Sequence, residues 1–157
     1  MEQTEKWFDQ IALPALLRHA RTTYGAAMRK ALDAQGYDDI PGNGLYIIGG
    51  LALGAQAVPI GQLAREMRVT KQGMGQLIDT LVMRGYLTRT PDAADRRQLM
   101  ITLTARGQAA AEVQTAARAA VDQALAAKVG DEDIARTRRT LAALIEIHRA
   151  ETETADA

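Results

Sequence analysis

The segment from Thr70 to Gln76 combines hydrogen-bonding side chains with a complete absence of carboxylates. Thr70 is a favourable helix N-cap, and the free amides and dipole of a helix start attract anions such as phosphate. Lys71, Gln72 and Gln76 add an ammonium group and two carboxamides. A glutamine can pair with adenine through two hydrogen bonds, and a lysine can reach guanine or a phosphate. These residue types in this order predict contact with a nucleic acid, and an ordinary solvated helix face is the alternative.

An apolar stripe behind this segment defines the helix that carries it. Four apolar residues recur at i, i+3, i+4 and i+7, which gives the helix one buried face. Gly75 lies on the opposite face together with the lysine and both glutamines, and Gly85 ends the helix as a C-cap. Gly73 and Gly75 each cost the helix about 1 kcal/mol relative to alanine, which favours a role in close backbone approach. The stripe consists of Met74, Leu77, Ile78 and Leu81.

Two short strand-like runs follow this helix, at residues 86–90 and 98–103. In the second run Leu99, Ile101 and Leu103 are expected to point inward. The loop between the runs ends in two adjacent arginines, Arg96 and Arg97. Upstream, Pro59 is expected in the first turn of a short helix that is joined to the polar-faced helix by about three residues, as in a helix-turn-helix. The pattern therefore predicts a winged helix-turn-helix.

The end of the second strand-like run carries a spaced motif. Asp95, Arg97, Leu103, Thr104 and Gly107 fit the pattern D-x-R-x5-L-T-x2-G. This pattern resembles the wing signature of the MarR family of bacterial transcriptional regulators, and the similarity extends over residues 59–107. The resemblance implies a fold that is mainly α with a small β-hairpin wing, namely a winged helix-turn-helix with N- and C-terminal dimerisation helices.

The resemblance also implies roles for the wing residues. Arg97 matches the family's wing arginine, which enters the minor groove, where a narrow A·T-rich stretch attracts a guanidinium group. Arg96 is expected to touch the DNA backbone, and Asp95 to pin the tip by pairing with an arginine, with Arg89 as the candidate. An ordinary solvated hairpin is the alternative. The expected DNA-binding residues are Thr70, Lys71, Gln72, Gly75, Gln76, Asp95, Arg96 and Arg97.

Helical patterns at both ends of the chain indicate what surrounds this module. Residues 7–35 form an amphipathic pattern with a kink or a start near Pro14 and a C-cap at Gly36. Residues 44–53 form a second helix that Gly49 and Gly50 weaken. An alanine-rich helix is expected after Gly107, and a last helix begins at Asp131 after a break at Gly130. We expect one MarR-like domain, 1–157, with the winged helix at 42–107 and dimerisation helices at 7–36 and 108–150.

Charge and composition restrict the function further. The net charge is zero, but residues 60–107 hold eight cations against four carboxylates, so a basic middle lies between acidic ends. There are no cysteines and two histidines, which excludes thiolate metal sites, and no metal or cofactor is expected. The chain has no apolar run near 18 residues and no signal-peptide pattern, so a cytoplasmic protein is expected.

The terminal helices are expected to bury their apolar faces against a second copy of the chain, since in the MarR family these helices interlock in a two-fold dimer. Such a dimer would place two recognition helices about one DNA turn apart on a palindromic operator. An intramolecular bundle is the alternative. The resemblance further implies release of DNA by a small aromatic or anionic effector, unless the candidate residues simply complete the core. Those candidates are His19, Arg21, Tyr24 and Tyr46.

Two other classes of protein, an enzyme and a protein-binding module, fit the sequence less well. Catalysis is disfavoured because the sequence has no phosphate-binding glycine loop, no paired-histidine metal motif and no nucleophile elbow. A winged helix used for protein contact is the remaining alternative, although it would not need the lysine and glutamines or Arg97. The sequence thus favours a sequence-specific regulator, most simply a repressor, that binds double-stranded DNA as a homodimer.

Overall fold

The computed structural model describes residues 6–54 and 57–155. Over these residues the chain forms six helices and three short strands, which confirms the mainly α architecture with a β wing. None of the helices in these ranges is long and apolar enough to cross a membrane. The elements in chain order are α1 (Leu13–Ala34), α2 (Gly44–Leu53), β1 (Ala57–Pro59), α3 (Ile60–Glu66), α4 (Lys71–Met83), β2 (Leu87–Pro91), β3 (Leu99–Leu103), α5 (Ala105–Val129) and α6 (Asp131–Ala155).

Helix α1 begins at Leu13, one residue before Pro14. Of the two expectations for this proline, a kink or a helix start, the structure shows the start. Pro14 lies in the first turn, where its missing N–H costs nothing. The helix ends before Gly36, whose φ of 81° is left-handed. The N–H of Tyr37 donates to the carbonyl of Leu32 at 2.9 Å, which closes a Schellman turn. The predicted glycine stop is therefore confirmed, and it directs the chain into the 37–41 loop.

Helices α3 and α4 form the helix-turn-helix. Arg68 makes the turn with a φ of 53°, an uncommon left-handed conformation for a side chain of this size. Thr70 then caps α4, because its hydroxyl accepts a hydrogen bond from the N–H of Gly73 at 3.0 Å. Met74, Ile78 and Leu81 are fully buried beneath the helix. The cap and the buried stripe are both as the sequence predicted.

The wing is a three-stranded antiparallel sheet in the order β1-β3-β2, one strand more than the predicted hairpin. Ala57 pairs with Thr102, and Thr88 pairs with the same residue from the other side. Pro59 ends the added strand and is the N-cap of α3, not a residue of its first turn. Of the three residues expected to point inward, Ile101 is fully buried and Leu99 is 42% exposed near the free end of the wing.

Helix α5 begins at Ala105, before Gly107, so the predicted boundary after this glycine was wrong. Thr104 accepts a hydrogen bond from the N–H of Gly107 at 3.0 Å and thereby caps the helix start. A Cβ on Gly107 would lie closer to the carbonyl oxygen of Tyr86 than real Cβ atoms approach. The glycine is therefore needed for a close crossing of α5 over the start of β2, and it does not end a helix.

The chain divides into two compact units, 1–118 and 119–157. The first holds the hydrophobic core, in which Leu32, Ile48 and Tyr86 are fully buried. The second consists of the end of α5 and all of α6, joined at Gly130 with a φ of 82°. Among the side chains of α6 that the structure describes, none reaches the burial of the core residues.

A buried glutamine explains one of the two unusual glycines of α2. Gln114 of α5 is fully buried, and a Cβ at Gly49 would lie 2.7 Å from its Oε1 atom. Gly49 thus makes room for a polar side chain whose amide has no hydrogen-bond partner among the described residues. A Cβ on Gly50 would meet nothing within 4 Å. Helix α2 is continuous in spite of both glycines.

Candidate nucleic-acid interface

The exposed face of α4 presents the polar residues that the sequence singled out. Lys71, Gln72 and Gln76 are all exposed, on the side opposite the buried stripe. A Cβ on Gly75, which is half-buried, would meet nothing within 4 Å, so space is open beside the helix at this residue. The face therefore offers one ammonium, two carboxamides and open space beside Gly75.

An open cleft of about 420 Å³ lies between α3, the start of α4 and the wing. We call it the wing-side cleft. Three cationic side chains line it, from Arg65, Lys71 and Arg97, and its lining contains no carboxylate. None of these three cations makes an ion pair within residues 6–54 and 57–155. The other lining residues are Pro59, Ile60, Gly61, Gln62, Gln98 and Leu99.

A second cleft, of about 520 Å³, lies on the other side of α4, and no charged residue lines it. We call it the loop-side cleft. Gln76 and Thr80 line it from α4, and Gly42 and Asn43 line it from the segment before α2. The exposed face of α4 is thus bordered by a basic cleft on the side of the wing and by a neutral cleft on the side of the α1–α2 connection.

The wing turn is closed by its own aspartates. Asp95 accepts a hydrogen bond through Oδ1 from the backbone N–H of Arg97 at 3.0 Å, and Asp92 does the same for Ala94 at 3.0 Å. The predicted pairing of Asp95 with Arg89 was wrong, because Arg89 pairs with Asp79 and the carboxylate of Asp95 bonds a local N–H two residues away. Asp95 acts on the conformation of the turn that carries Arg97.

Arg89 instead pairs with Asp79 of the recognition helix. The two side chains are 31% and 58% exposed, so the pair is at the surface. It links β2 to the second half of α4, and it places a guanidinium beside a carboxylate on the exposed side of that helix. The two residues lie ten positions apart on different elements, so no local pattern predicts this pair.

A cluster that sequence reasoning missed joins three distant parts of the first unit. The hydroxyl of Tyr86 donates a hydrogen bond to Asp39, and Arg106 donates to the Tyr86 oxygen at 2.9 Å and to Asp39 at 3.2 Å. The hydrogen bond from Tyr86, with the nearby charge of Arg106, holds the pKa of Asp39 below its ordinary value. Burial, together with the bond to Asp39, raises the pKa of Tyr86.

Two further arginines hold the 37–41 loop that contains Asp39. Arg29 of α1 donates to the carbonyl of Ile40 at 2.8 Å, and Arg84 at the end of α4 donates to the carbonyl of Asp39. The loop is thus bound by arginines from α1, α4 and α5. Because this loop leads directly into Gly42 and Asn43, it fixes one wall of the loop-side cleft.

The four candidate effector residues are only partly brought together. The guanidinium of Arg21 lies 4.6 Å from the ring centroid of Tyr46, in a cation–π contact between α1 and α2. Tyr24 and Tyr46 are half-buried and pack against the core, whereas His19 is exposed. Arg21 and Tyr46 therefore form a pair, and the contacts of both tyrosines also fit the alternative in which these residues complete the core.

Comparison with known proteins gives matches in both sequence and structure. The sequence model of the MarR family matches residues 39–98, from the 37–41 loop to the end of the wing turn. Three solved structures share the fold: wild-type apo MarR from E. coli, an S. aureus MepR–DNA complex, and Streptococcus pneumoniae FabT in complex with DNA. No curated protein matches the chain in sequence.

The structural matches extend beyond the winged helix. MarR is 18% identical, spans 85% of this chain and 97% of its own, and has a TM-score of 0.65. MepR is 20% identical over 87% and 98%, and FabT 18% identical over 88% and 99%, each with a TM-score of 0.70. At such identities the structural likeness establishes the fold.

The helix-turn-helix followed by a wing defines the chain as a winged-helix protein. Residues 39–98 match the MarR family model and the chain has the fold of the solved MarR, MepR and FabT structures, which confirms the resemblance inferred from the wing motif.

Proposed function

We propose that the protein is a transcriptional regulator that binds double-stranded DNA specifically, as a homodimer on a palindromic operator, and acts in the cytoplasm as a repressor. The observation that carries this proposal is the wing-side cleft. Arg65, Lys71 and Arg97 converge there from α3, α4 and the wing, with no acidic residue in the lining. A surface of this kind attracts the phosphate backbone, which supplies most of the affinity for DNA.

The proposal assigns each exposed residue of the module a contact. Gln72, Gly75 and Gln76 face the major groove, and Lys71 reaches a phosphate or a guanine beside them. Thr70 caps a helix start whose free amides bind a backbone phosphate. Two of the similar structures, of MepR and FabT, are complexes with DNA, which supports this use of the same fold. In the wing, Arg97 enters the minor groove, Arg96 touches the backbone and Asp95 fixes the turn.

The exposed apolar residues of the second unit support a dimer. Ile145 and Ile147 of α6 are 55% and 60% exposed, and Leu125 of α5 is 40% exposed. Full burial of an exposed aliphatic side chain contributes about 1.5–3 kcal/mol, so covering the remaining half of each of these contributes roughly 1 kcal/mol and favours a partner that covers several of them. We assign this role to residues 7–36 and 108–150 and propose that a second copy of the chain is the partner. The winged helix at 42–107 would then be presented twice.

Release of DNA by a small aromatic or anionic effector completes the proposal. Arg21 and Tyr46 support it, because a cation held over an aromatic ring offers an anion both charge and a flat surface. Tyr24 on the same helix and His19 are the remaining candidates. Replacing Arg21 by alanine should lower the sensitivity of the DNA complex to an effector such as a benzoate without changing DNA affinity in its absence.

A binding titration tests the central claim. The full-length protein would be titrated against DNA from upstream of its own gene and against a scrambled duplex, at two salt concentrations. Tight, salt-sensitive preference for the upstream DNA is expected, because each phosphate contact releases a counterion.

Equal binding to both duplexes would overturn specific recognition of this DNA. Binding that hardly changes with salt would favour the alternative, a winged helix used for protein contact.

A further inference from the structure

Gln72 and Gln76 are neighbours on the surface of α4. They are four residues apart, which places their Cβ atoms about 5–6 Å from each other on one helix face. Both are exposed, and neither side-chain amide has a hydrogen-bond partner within the described part of the chain. Each amide is therefore free to offer one acceptor and two donor hydrogens to an outside group.

The other charged groups on and after this helix differ from the glutamines in the bases that they suit. Helix α4 contains no arginine, the residue that pairs best with guanine, and Arg84 beyond its end is bound to the 37–41 loop. Asp79 is held by Arg89, and Lys71 lines the wing-side cleft. Gln72 and Gln76 are therefore the only side chains of α4 that can both accept from an adenine N6 amino group and donate to its N7.

Glycines stand on both sides of this glutamine pair. A Cβ on Gly75 would meet nothing, and one on Gly73 would meet only the hydroxyl of Thr70. Side chains at these positions would stand beside the amides and hold the helix away from a groove. Their absence leaves space beside both amides for a close approach to a groove.

We infer that Gln72 and Gln76 read adenines, so that the preferred DNA half-site carries A·T base pairs at neighbouring positions in the major groove opposite α4. The inference rests on the proposed function, because it names the bases read by the same helix. In each pair Oε1 accepts from the adenine N6 amino group and Nε2 donates to N7. The spacing of the two side chains matches one to two base-pair steps of about 3.4 Å.

The first experiment is a selection of the full-length protein on a library of random duplexes. Enrichment of one motif with adenines at two positions within a step or two of each other is the expected result. A motif with G·C pairs at these positions would overturn the adenine reading and leave DNA binding in place. Failure to enrich any motif would instead overturn the proposed function.

The second experiment replaces each selected adenine by 7-deazaadenine, which lacks the N7 acceptor and keeps the Watson–Crick pair. Affinity should fall roughly 5- to 10-fold for each replaced base, because one of two hydrogen bonds is lost. The Gln76→Ala variant should lose almost no affinity when the adenine read by Gln76 is replaced by 7-deazaadenine. The Gln72→Ala variant should likewise be insensitive to replacement of the adenine read by Gln72.

Gln108→Ala is the matched control, since Gln108 is also an exposed helical glutamine. This variant should retain the full loss on deazaadenine. Equal loss in all three variants, or no loss in the native protein, would show that the glutamines do not read N7.

Discussion

Asp79 of α4 and Arg89 of β2 form an ion pair that joins the helix to the wing. Both side chains are partly exposed, so the pair adds no more than about 1 kcal/mol to stability. The pair should matter more for DNA affinity than for stability, because Arg89 neutralises the carboxylate of Asp79 on a helix face proposed to approach DNA.

The first prediction follows from this pair. Arg89→Ala should lower DNA affinity several-fold, since it leaves an unpaired negative charge facing the phosphates. Arg89→Ala combined with Asp79→Asn should recover most of the affinity, measured by titration at low salt. A double variant as weak as Arg89→Ala alone would mean that Arg89 itself contacts DNA.

The wing arginine gives a second prediction. Arg97→Ala should reduce DNA affinity about tenfold and lower the dependence of affinity on salt by about one counterion. Thermal unfolding should be unchanged, because the side chain of Arg97 lines an open cleft. Arg139→Ala removes an exposed arginine outside the winged helix and should leave both properties unaltered. Undiminished binding by Arg97→Ala would remove the wing from the interface.

A third prediction contrasts two helical glycines. Gly107→Ala should destabilise the fold by about 2 kcal/mol or more, because the new Cβ would overlap the backbone carbonyl of Tyr86. Gly50→Ala, where a Cβ meets nothing, should stabilise the helix by about 0.5–1 kcal/mol. Urea unfolding would measure both. Similar effects at the two positions would contradict the close crossing of α5 over Tyr86.

A fourth prediction concerns acid stability. The folded-state pKa of Asp39 lies below its ordinary value of 3.8, so the unfolded chain takes up a proton first as the pH falls. The stabilisation is complete above about pH 5 and is lost as the pH falls through the folded-state pKa. Asp39→Asn cannot titrate there, so its urea midpoint should fall less between pH 6 and pH 3 than that of the native protein.

Tyr86→Phe removes the hydroxyl that donates the hydrogen bond to Asp39. It removes the first cause of the lowered Asp39 pKa and leaves the contact with Arg106, so it should reduce the pH dependence in part. An unchanged pH dependence in both variants would show that the cluster does not contribute to acid stability.

The fifth prediction tests the dimer. Ile145→Lys with Ile147→Lys should yield a folded monomer with weakened operator binding, because both side chains are exposed within one chain. Sedimentation equilibrium and far-ultraviolet circular dichroism would separate dissociation from unfolding. Glu146→Lys adds a lysine between them without changing an apolar position, and it should remain dimeric. A dimer that survives the double change would place the interface elsewhere.

Local patterns allowed much of this fold to be predicted. Thr70, Gly36 and Gly85 lie where short-range hydrogen bonds start or stop helices, so their roles follow from neighbouring residues alone. Strand β1 was missed because its three residues become a strand only through pairing with β3, as Ala57 does with Thr102. Gly107 was taken for a boundary because its real constraint, the carbonyl of Tyr86, is distant in sequence.

The candidate site divides in the same way. The exposed face of α4 follows from helical period, so Lys71, Gln72 and Gln76 could be grouped before the structure was known. The partner of Asp95 could not, because a backbone N–H two residues away competes with any distant guanidinium. Arg65 was missed as a lining residue of the wing-side cleft, since only the tertiary fold brings α3 beside Arg97.

The hydrogen bond from Arg106 to Asp39 joins residues that are 67 positions apart, so it forms late during synthesis of the chain. On the ribosome, Asp39 and the buried Tyr86 emerge well before the arginine that completes their hydrogen bonds. Strand β1 likewise waits for Thr102 before it has a partner. Nascent chains that stop at the end of β2 lack β3, the strand that pairs with both β1 and β2, so the sheet can form only after Leu103 has left the exit tunnel.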